Sequence, residues 1–107
     1  MKKEQWLPVP LPSYEYRYEV SDMGRVRNRK TGRILKPWPN RKKWIYLKVK
    51  FSPGARVFYV HHLVLIAFIG FPEADQERDH KNYITTDNRL ENLRHVHWLE
   101  NRRRRAK

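Results

Sequence analysis

Apolar and polar positions alternate in several short stretches of the first half of the chain. "YRYEV" at residues 16–20 alternates and predicts a strand. "SDMG" follows as a turn, in which Gly24 is free to take positive φ. "RVRN" and "RILK" flank "RKTG", the pattern of a hairpin. The clearest strand is "WIYLKVKF" at 44–51. Ile45, Leu47, Val49 and Phe51 fall on one face, and Trp44, Tyr46, Lys48 and Lys50 on the other. "SPGA" turns the chain and "RVFYV" returns it antiparallel. The pattern predicts a twisted antiparallel sheet with one apolar face and one basic, aromatic face. Residues 1–15 form a proline-stiffened, extended lead-in anchored by Trp6 and Val9.

The second half has a different rhythm. The β-branched content of "HHLVLIAFIG" fits a strand, while its length and the closing Gly70 fit a buried helix; periodicity leaves both open. "FPEADQE" reads as a loop. "RDH" and "LRHV" can pair as a short hairpin around the connection "KNYITTDNRLEN". "WLENRRRRAK" predicts a final helix whose closing bases suit the negative end of its dipole. The fold class is α+β, without an internal repeat.

Composition narrows the picture. A chain of 107 residues with 39% hydrophobic content makes one domain with a small core. Seven prolines and four tryptophans suit a folded, β-containing domain. The absence of cysteine excludes disulfides and thiolate zinc sites. The N-terminus has no apolar signal-peptide region, and the longest apolar run is too short and too histidine-rich to span a membrane. A cytoplasmic protein is expected.

Charge changes the picture most. The formal net charge is +13, and residues 23–72 contain no acid. The same segment holds twelve bases: Arg25, Arg27, Arg29, Lys30, Arg33, Lys36, Arg41, Lys42, Lys43, Lys48, Lys50 and Arg56. Without acidic neighbours they are expected to be unpaired and to face a polyanion, most simply a nucleic acid. Trp44 and Tyr46, interleaved with Lys48 and Lys50, can stack on bases or pack on the sheet. The "RRRR" run is a solvated tail or a phosphate contact.

Against this basic background, "RDHKNYITTDNRLENL" sets Asp79 beside His80 and follows them with amides. A strand–strand–helix hairpin brings Asp79, His80, Asn92 and Asn101 to one cleft. A carboxylate and an amide carbonyl are hard oxygen donors that suit Mg²⁺ or Mn²⁺. An imidazole titrates near neutrality and can take a proton from water. That is equipment for phosphodiester hydrolysis. Asn88 reads as a turn or cap residue. His61 and His62 read as core-edge residues, and His95 and His97 lack the third ligand a zinc site needs.

"VHHLVLIAFIG", "DHKN", "DNRLENLRHV" and "EN" follow in the order and spacing of the HNH endonucleases of the phage and intron-homing type, which this chain resembles. Upstream, "YEVSDMGRVRN" and "GRILK" resemble the β-rich module that often precedes their catalytic hairpin. The resemblance covers most of residues 6–101. It implies an N-terminal twisted antiparallel sheet, a helix at 61–69 and a ββα-metal hairpin and helix. Residues 1–60 would be the DNA-binding module and 61–107 the catalytic one, joined in one compact unit. His80 would be the general base. Asp79 and Asn101 would bind one Mg²⁺ or Mn²⁺. Asn92 would hold the hairpin and orient His80, and His61 would support the site. His97 stands where the family usually has a Ser or Thr cap; as a poor cap it is expected to face the cleft. Arg25, Arg27, Arg29, Lys42, Lys43, Lys48, Lys50, Arg78, Lys81 and Arg94 would contact duplex DNA. The resemblance further implies 5′-phosphate and 3′-hydroxyl ends, a monomer or homodimer on DNA, no membrane partner, and a bacterial or phage-infected host cell. The alternative is a non-catalytic DNA- or RNA-binding module on the same scaffold.

Overall fold

Short alternating stretches broken by proline and glycine leave little length for cross-strand pairing. In the computed structural model they form three small antiparallel sheets. The structure describes residues 3–105. The first sheet orders β1 (Trp6–Pro8), β2 (Tyr18–Ser21) and β3 (Val26–Asn28); the second orders β4 (Trp38–Pro39), β5 (Leu47–Phe51) and β6 (Arg56–Tyr59). Helix α1 (Val60–Phe68) follows β6 directly. A two-stranded hairpin, β7 (Gln76–His80) and β8 (Leu93–His97), then leads into α2 (Trp98–Arg105), with a 3₁₀ turn at Leu90–Asn92 just before β8.

The expected first sheet is therefore divided in two. "RILK" adds only an isolated bridge, Arg27 to Ile34. The 44–51 alternation becomes strand only from Leu47. Asn40 is the reason: its N–H donates to the Tyr46 carbonyl and its Oδ1 accepts from the Tyr46 N–H, both at 3.0 Å. This closes a loop that pushes Trp44 and Ile45 outward, so Ile45 is exposed and not on the apolar face. Val49 and Phe51 do face the core.

The ambiguous apolar run is a helix. Val60, Leu63, Val64 and Leu65 of α1 are fully buried, and Ile69 and Gly70 both donate to the Leu65 carbonyl at 2.9 Å to end it. Gly70 takes φ +120°, open to glycine and strained for other residues. The helix packs on β1, β2, β5, β6, β8 and the 3₁₀ turn, so both halves of the chain share one core. Tyr18 and Phe51 stack beneath it with centroids 4.1 Å apart. Truncating a buried leucine such as Leu63 to alanine costs about 2–5 kcal/mol in sites like this. Among the described residues no helix is long and apolar enough to cross a membrane.

Candidate active site

The hairpin register sets Asp79 opposite Arg94 and His80 opposite Leu93, at the end of β7 where the 81–92 connection begins. Successive residues on a strand face opposite sides, so the two neighbours meet different surroundings.

Asp79 is buried on the side that also carries Glu77. Its Oδ2 accepts from Arg94 Nε at 2.9 Å, and Arg94 lies 3.9 Å from Glu100 on α2. Asn101, one turn into α2 and fully buried, donates from Nδ2 to Glu77 Oε2 at 3.0 Å. Its Oδ1 is buried without a hydrogen-bond partner among the described residues. An orphaned carbonyl oxygen beside a carboxylate strand is an acceptor waiting for a donor or a cation.

His80 is equally buried but sits among rings. His61 lies 5.0 Å and Tyr46 5.9 Å away between centroids. Burial pushes its pKa below the ordinary histidine value, against the raising effects of Asn88 and Asp79. His61 is pushed to about 2 and His62 to about 4, first by burial and then by the nearby Arg78 charge. A cavity of about 50 Å³ opens beside His80 and Asp79, lined also by Trp44, Tyr46, Arg78 and Tyr83. A groove of about 610 Å³ adjoins it, sharing Tyr46 and Arg78 and reaching Lys42 and His62. Arg78, half-buried with its guanidinium 5.9 Å from the Tyr59 ring, thus stands between the two.

The connection between β7 and β8 is closed by amides. Asn92 Oδ1 accepts from the Asn82 N–H at 3.0 Å, and its Nδ2 donates to the Asp87 carbonyl at 2.9 Å. Lys81 N–H donates to the Asn92 carbonyl at 2.7 Å. Arg89 grips both Asp87 oxygens and, with Asn82, holds the Asp87 carboxyl far below the usual carboxylate range. Asn92 therefore pins the loop, but it does not reach the His80 ring. Asn88 does, with Oδ1 2.8 Å from His80 Nε2.

Three other expectations change. Arg25 pairs with Glu4, Arg27 with Glu19 at 3.0 Å, and Arg29 with Glu19 at 3.6 Å. These bases are not unpaired, because the β2–β3 register sets Glu19 against Arg27 across the acid-free segment's boundary. Arg94 is likewise committed to Asp79. His97 does not turn into the cleft: its Nδ1 accepts the Leu99 N–H at 3.1 Å and caps α2. Lys42, Lys43 and Lys50 are exposed, Lys48 lies 5.7 Å from the Trp38 ring, and Lys81 is at the surface. Side chains beyond Arg102 in the basic run lie outside the described residues.

A NUMOD4 motif model matches residues 4–52. A solved structure described as DNA binding and cleavage by the HNH homing endonuclease I-HmuI aligns with a TM-score of 0.75 and 32% identity, over 95% of this chain and 59% of that one. Two uncharacterised HNH endonucleases of Acanthamoeba polyphaga mimivirus are 35% and 31% identical over 94% and 78% of this chain. The chain is thus similar to HNH endonucleases in both sequence and fold. It spans 25% of the length of each of these curated relatives.

Around the Asp79–His80 site three residues escaped sequence reasoning. Glu77 was detectable, since it shares Asp79's face at a spacing of two. Tyr46 was placed on the outer face of a strand and is instead a wall of the His80 cleft. Asn88 gave no signal beyond its position in "TDNR", because its reach to His80 depends on how the loop closes.

Proposed function

We propose that this chain is a metal-dependent DNA endonuclease. The observation that carries it is the end of β7. There a buried, low-pKa imidazole and a buried carboxylate open onto a cavity beside Arg78, with an unsatisfied Asn101 carbonyl behind the carboxylate strand.

The residues fit a hard divalent cation. Asp79 and the orphaned Asn101 Oδ1 would hold Mg²⁺ or Mn²⁺, and Arg94 would release Asp79 or share it. Such an ion supplies charge neutralisation at the scissile phosphate and at the leaving oxygen. The chain does the rest. Its low pKa keeps His80 neutral at physiological pH, so it can take a proton from the attacking water. The water oxygen bonds to phosphorus as the bond to the 3′ oxygen breaks. The products are a 5′-phosphate and a 3′-hydroxyl, the latter protonated from solvent. Arg78 stabilises the added negative charge from the cavity wall. Lys42, Lys43, Lys48, Lys50 and Lys81 hold the duplex through its phosphates. Residues 1–60 supply most of these cations and residues 61–107 the chemistry.

One observation favours the alternative of a non-catalytic DNA- or RNA-binding module: Arg94 already neutralises Asp79 without a metal. Incubation of the protein with supercoiled plasmid, with and without Mg²⁺, decides. Nicked or linear product only with metal is expected; plasmid binding with no product under any divalent ion leaves the binding module.

A further inference from the structure

We infer that Asn88 is the positioning residue of the His80 imidazole, and that the "SDMG" turn of the N-terminal module seats Asn88. The inference rests on the reading of His80 as the base and assigns what aims it.

Asn88 and His80 are both about 5% exposed, and the 2.8 Å contact joins Asn88 Oδ1 to His80 Nε2. With Asn88 Oδ1 turned to the ring and its Nδ2 buried without a hydrogen-bond partner among the described residues, Nε2 carries the ring proton and Nδ1 keeps its lone pair. A base that takes a proton from water needs one such free nitrogen. The opposite tautomer would leave the Asn88 oxygen facing a lone pair. The other groups about the ring are Tyr46, His61, Arg78, Asp79 and Asp87. The hydrogen bond to the ring comes from Asn88.

Asn88 sits eight residues from His80, in a connection with little regular structure, so something must hold it. Gly24 does so from the other half of the chain. At φ +81°, an added Cβ on Gly24 would lie 2.7 Å from the Asn88 carbonyl oxygen and 2.9 Å from its Cβ. Beside it, the Leu90 N–H donates to the Asp22 carbonyl at 2.8 Å. The turn is itself braced: the Ser21 hydroxyl accepts from the N–H groups of Met23 and Arg25 at 3.2 and 3.1 Å. The contact is backbone against backbone, with no flexible side chain to give way. The N-terminal module is thus part of the catalytic apparatus as well as a DNA-binding arm.

The test compares four variants of the full chain, Asn88→Ala, Asn88→Asp, Gly24→Ala and His80→Ala, with wild type. The readouts are single-turnover plasmid cleavage at saturating protein and Mg²⁺, DNA affinity without metal, and long-range ¹H–¹⁵N spectra of the His80 ring. Asn88→Ala is expected to slow cleavage about tenfold or more, the usual worth of an orienting partner, with DNA affinity unchanged. Asn88→Asp, which keeps an acceptor oxygen, recovers most of that rate. His80 shows the Nε2–H tautomer in wild type and a mixture in Asn88→Ala. Gly24→Ala slows cleavage in the same way. Should Gly24→Ala fail to fold, the Asn88 variants and the spectra still decide whether Asn88 aims the ring, and a Ser21→Ala variant, which removes the brace of the turn without adding a Cβ at Gly24, would overturn the seat by cutting at full rate with an unchanged tautomer. Full-rate cleavage by Asn88→Ala, or an unchanged tautomer, overturns the inference while an inactive His80→Ala keeps the base. A His80→Ala protein as fast as wild type overturns both.

Discussion

Asp79 and His80 are neighbours in sequence and opposites in setting. The Asp79 side of the hairpin is ionic, with Glu77, Arg94, Glu100 and Asn101 gathered between β7, β8 and α2. The His80 side is aromatic, walled by Tyr46 and His61 and closed by one amide. A pleated strand makes this possible by sending adjacent side chains to opposite faces. The lesson is chemical. A cation ligand must stay anionic, which an ionic surround favours. A general base must stay neutral until it acts, which burial favours. On the proposed reading one dipeptide would serve both needs, because the strand gives the two side chains different neighbours at the edge of one cavity.

The first way to break this comparison is to empty the aromatic side. His80→Ala should lower the cleavage rate about a hundredfold or more, the usual worth of a general base, with DNA affinity unchanged. Gel quantification of nicked plasmid under single-turnover conditions measures it. Loosening the loop should cost less: Asn92→Ala removes two hydrogen bonds worth about 1 kcal/mol each, which thermal melting should detect as lost stability, while Asn92→Asp, which keeps an acceptor for Asn82, should be milder.

Acid should destabilise the aromatic side. His61 and His62 have folded pKa values of about 2 and 4 against an ordinary value of 6.5. Below pH 6.5 the unfolded chain therefore binds protons that the folded chain refuses, so stability is lost as pH falls from 6.5 toward 4. The slope approaches about 1.4 kcal/mol per pH unit for buried His61, with a smaller share from half-buried His62. Urea melts of wild type and His61→Asn between pH 7 and 5 check this; equal slopes would show that His61 is not held neutral. The smallest effect concerns DNA affinity. Lys42→Ala should reduce the log–log salt slope by about 0.9, the share of one phosphate. Arg27→Ala should reduce it less, because Glu19 already neutralises that guanidinium. Anisotropy titrations over a salt series separate the two.

Legibility followed the range of the interactions. The β7–β8 hairpin was readable from "RDH" and "LRHV", and α2 from "WLENRRRR", because each is set by neighbouring residues. Helix α1 was not separable from a strand by periodicity, since burial on nearly every face erases the amphipathic signal, and family resemblance supplied it. The pairing of Arg25, Arg27 and Arg29 was invisible because Glu4 and Glu19 come from outside the acid-free segment and meet the arginines only through strand register. Trp44 and Ile45 looked like strand because alternation does not reveal that Asn40 closes a loop on Tyr46. Asp79, His80 and Asn101 stood out in the sequence by residue type and spacing, and the structure buries all three. The amide that touches His80 is not evident in the sequence, because the 81–92 connection and the distant Gly24 decide which of several asparagines reaches it.

The division between the two sides is tested most directly by a Mg²⁺ titration of the single-turnover cleavage rate in wild type, His80→Ala and Asp79→Asn. The base variant should keep the wild-type half-saturating Mg²⁺ concentration and reach a lower plateau. The ligand variant should need more Mg²⁺ for half its own maximal rate. If both substitutions lowered the plateau alone, or both shifted the Mg²⁺ midpoint alike, Asp79 and His80 would share one role and the account would be wrong.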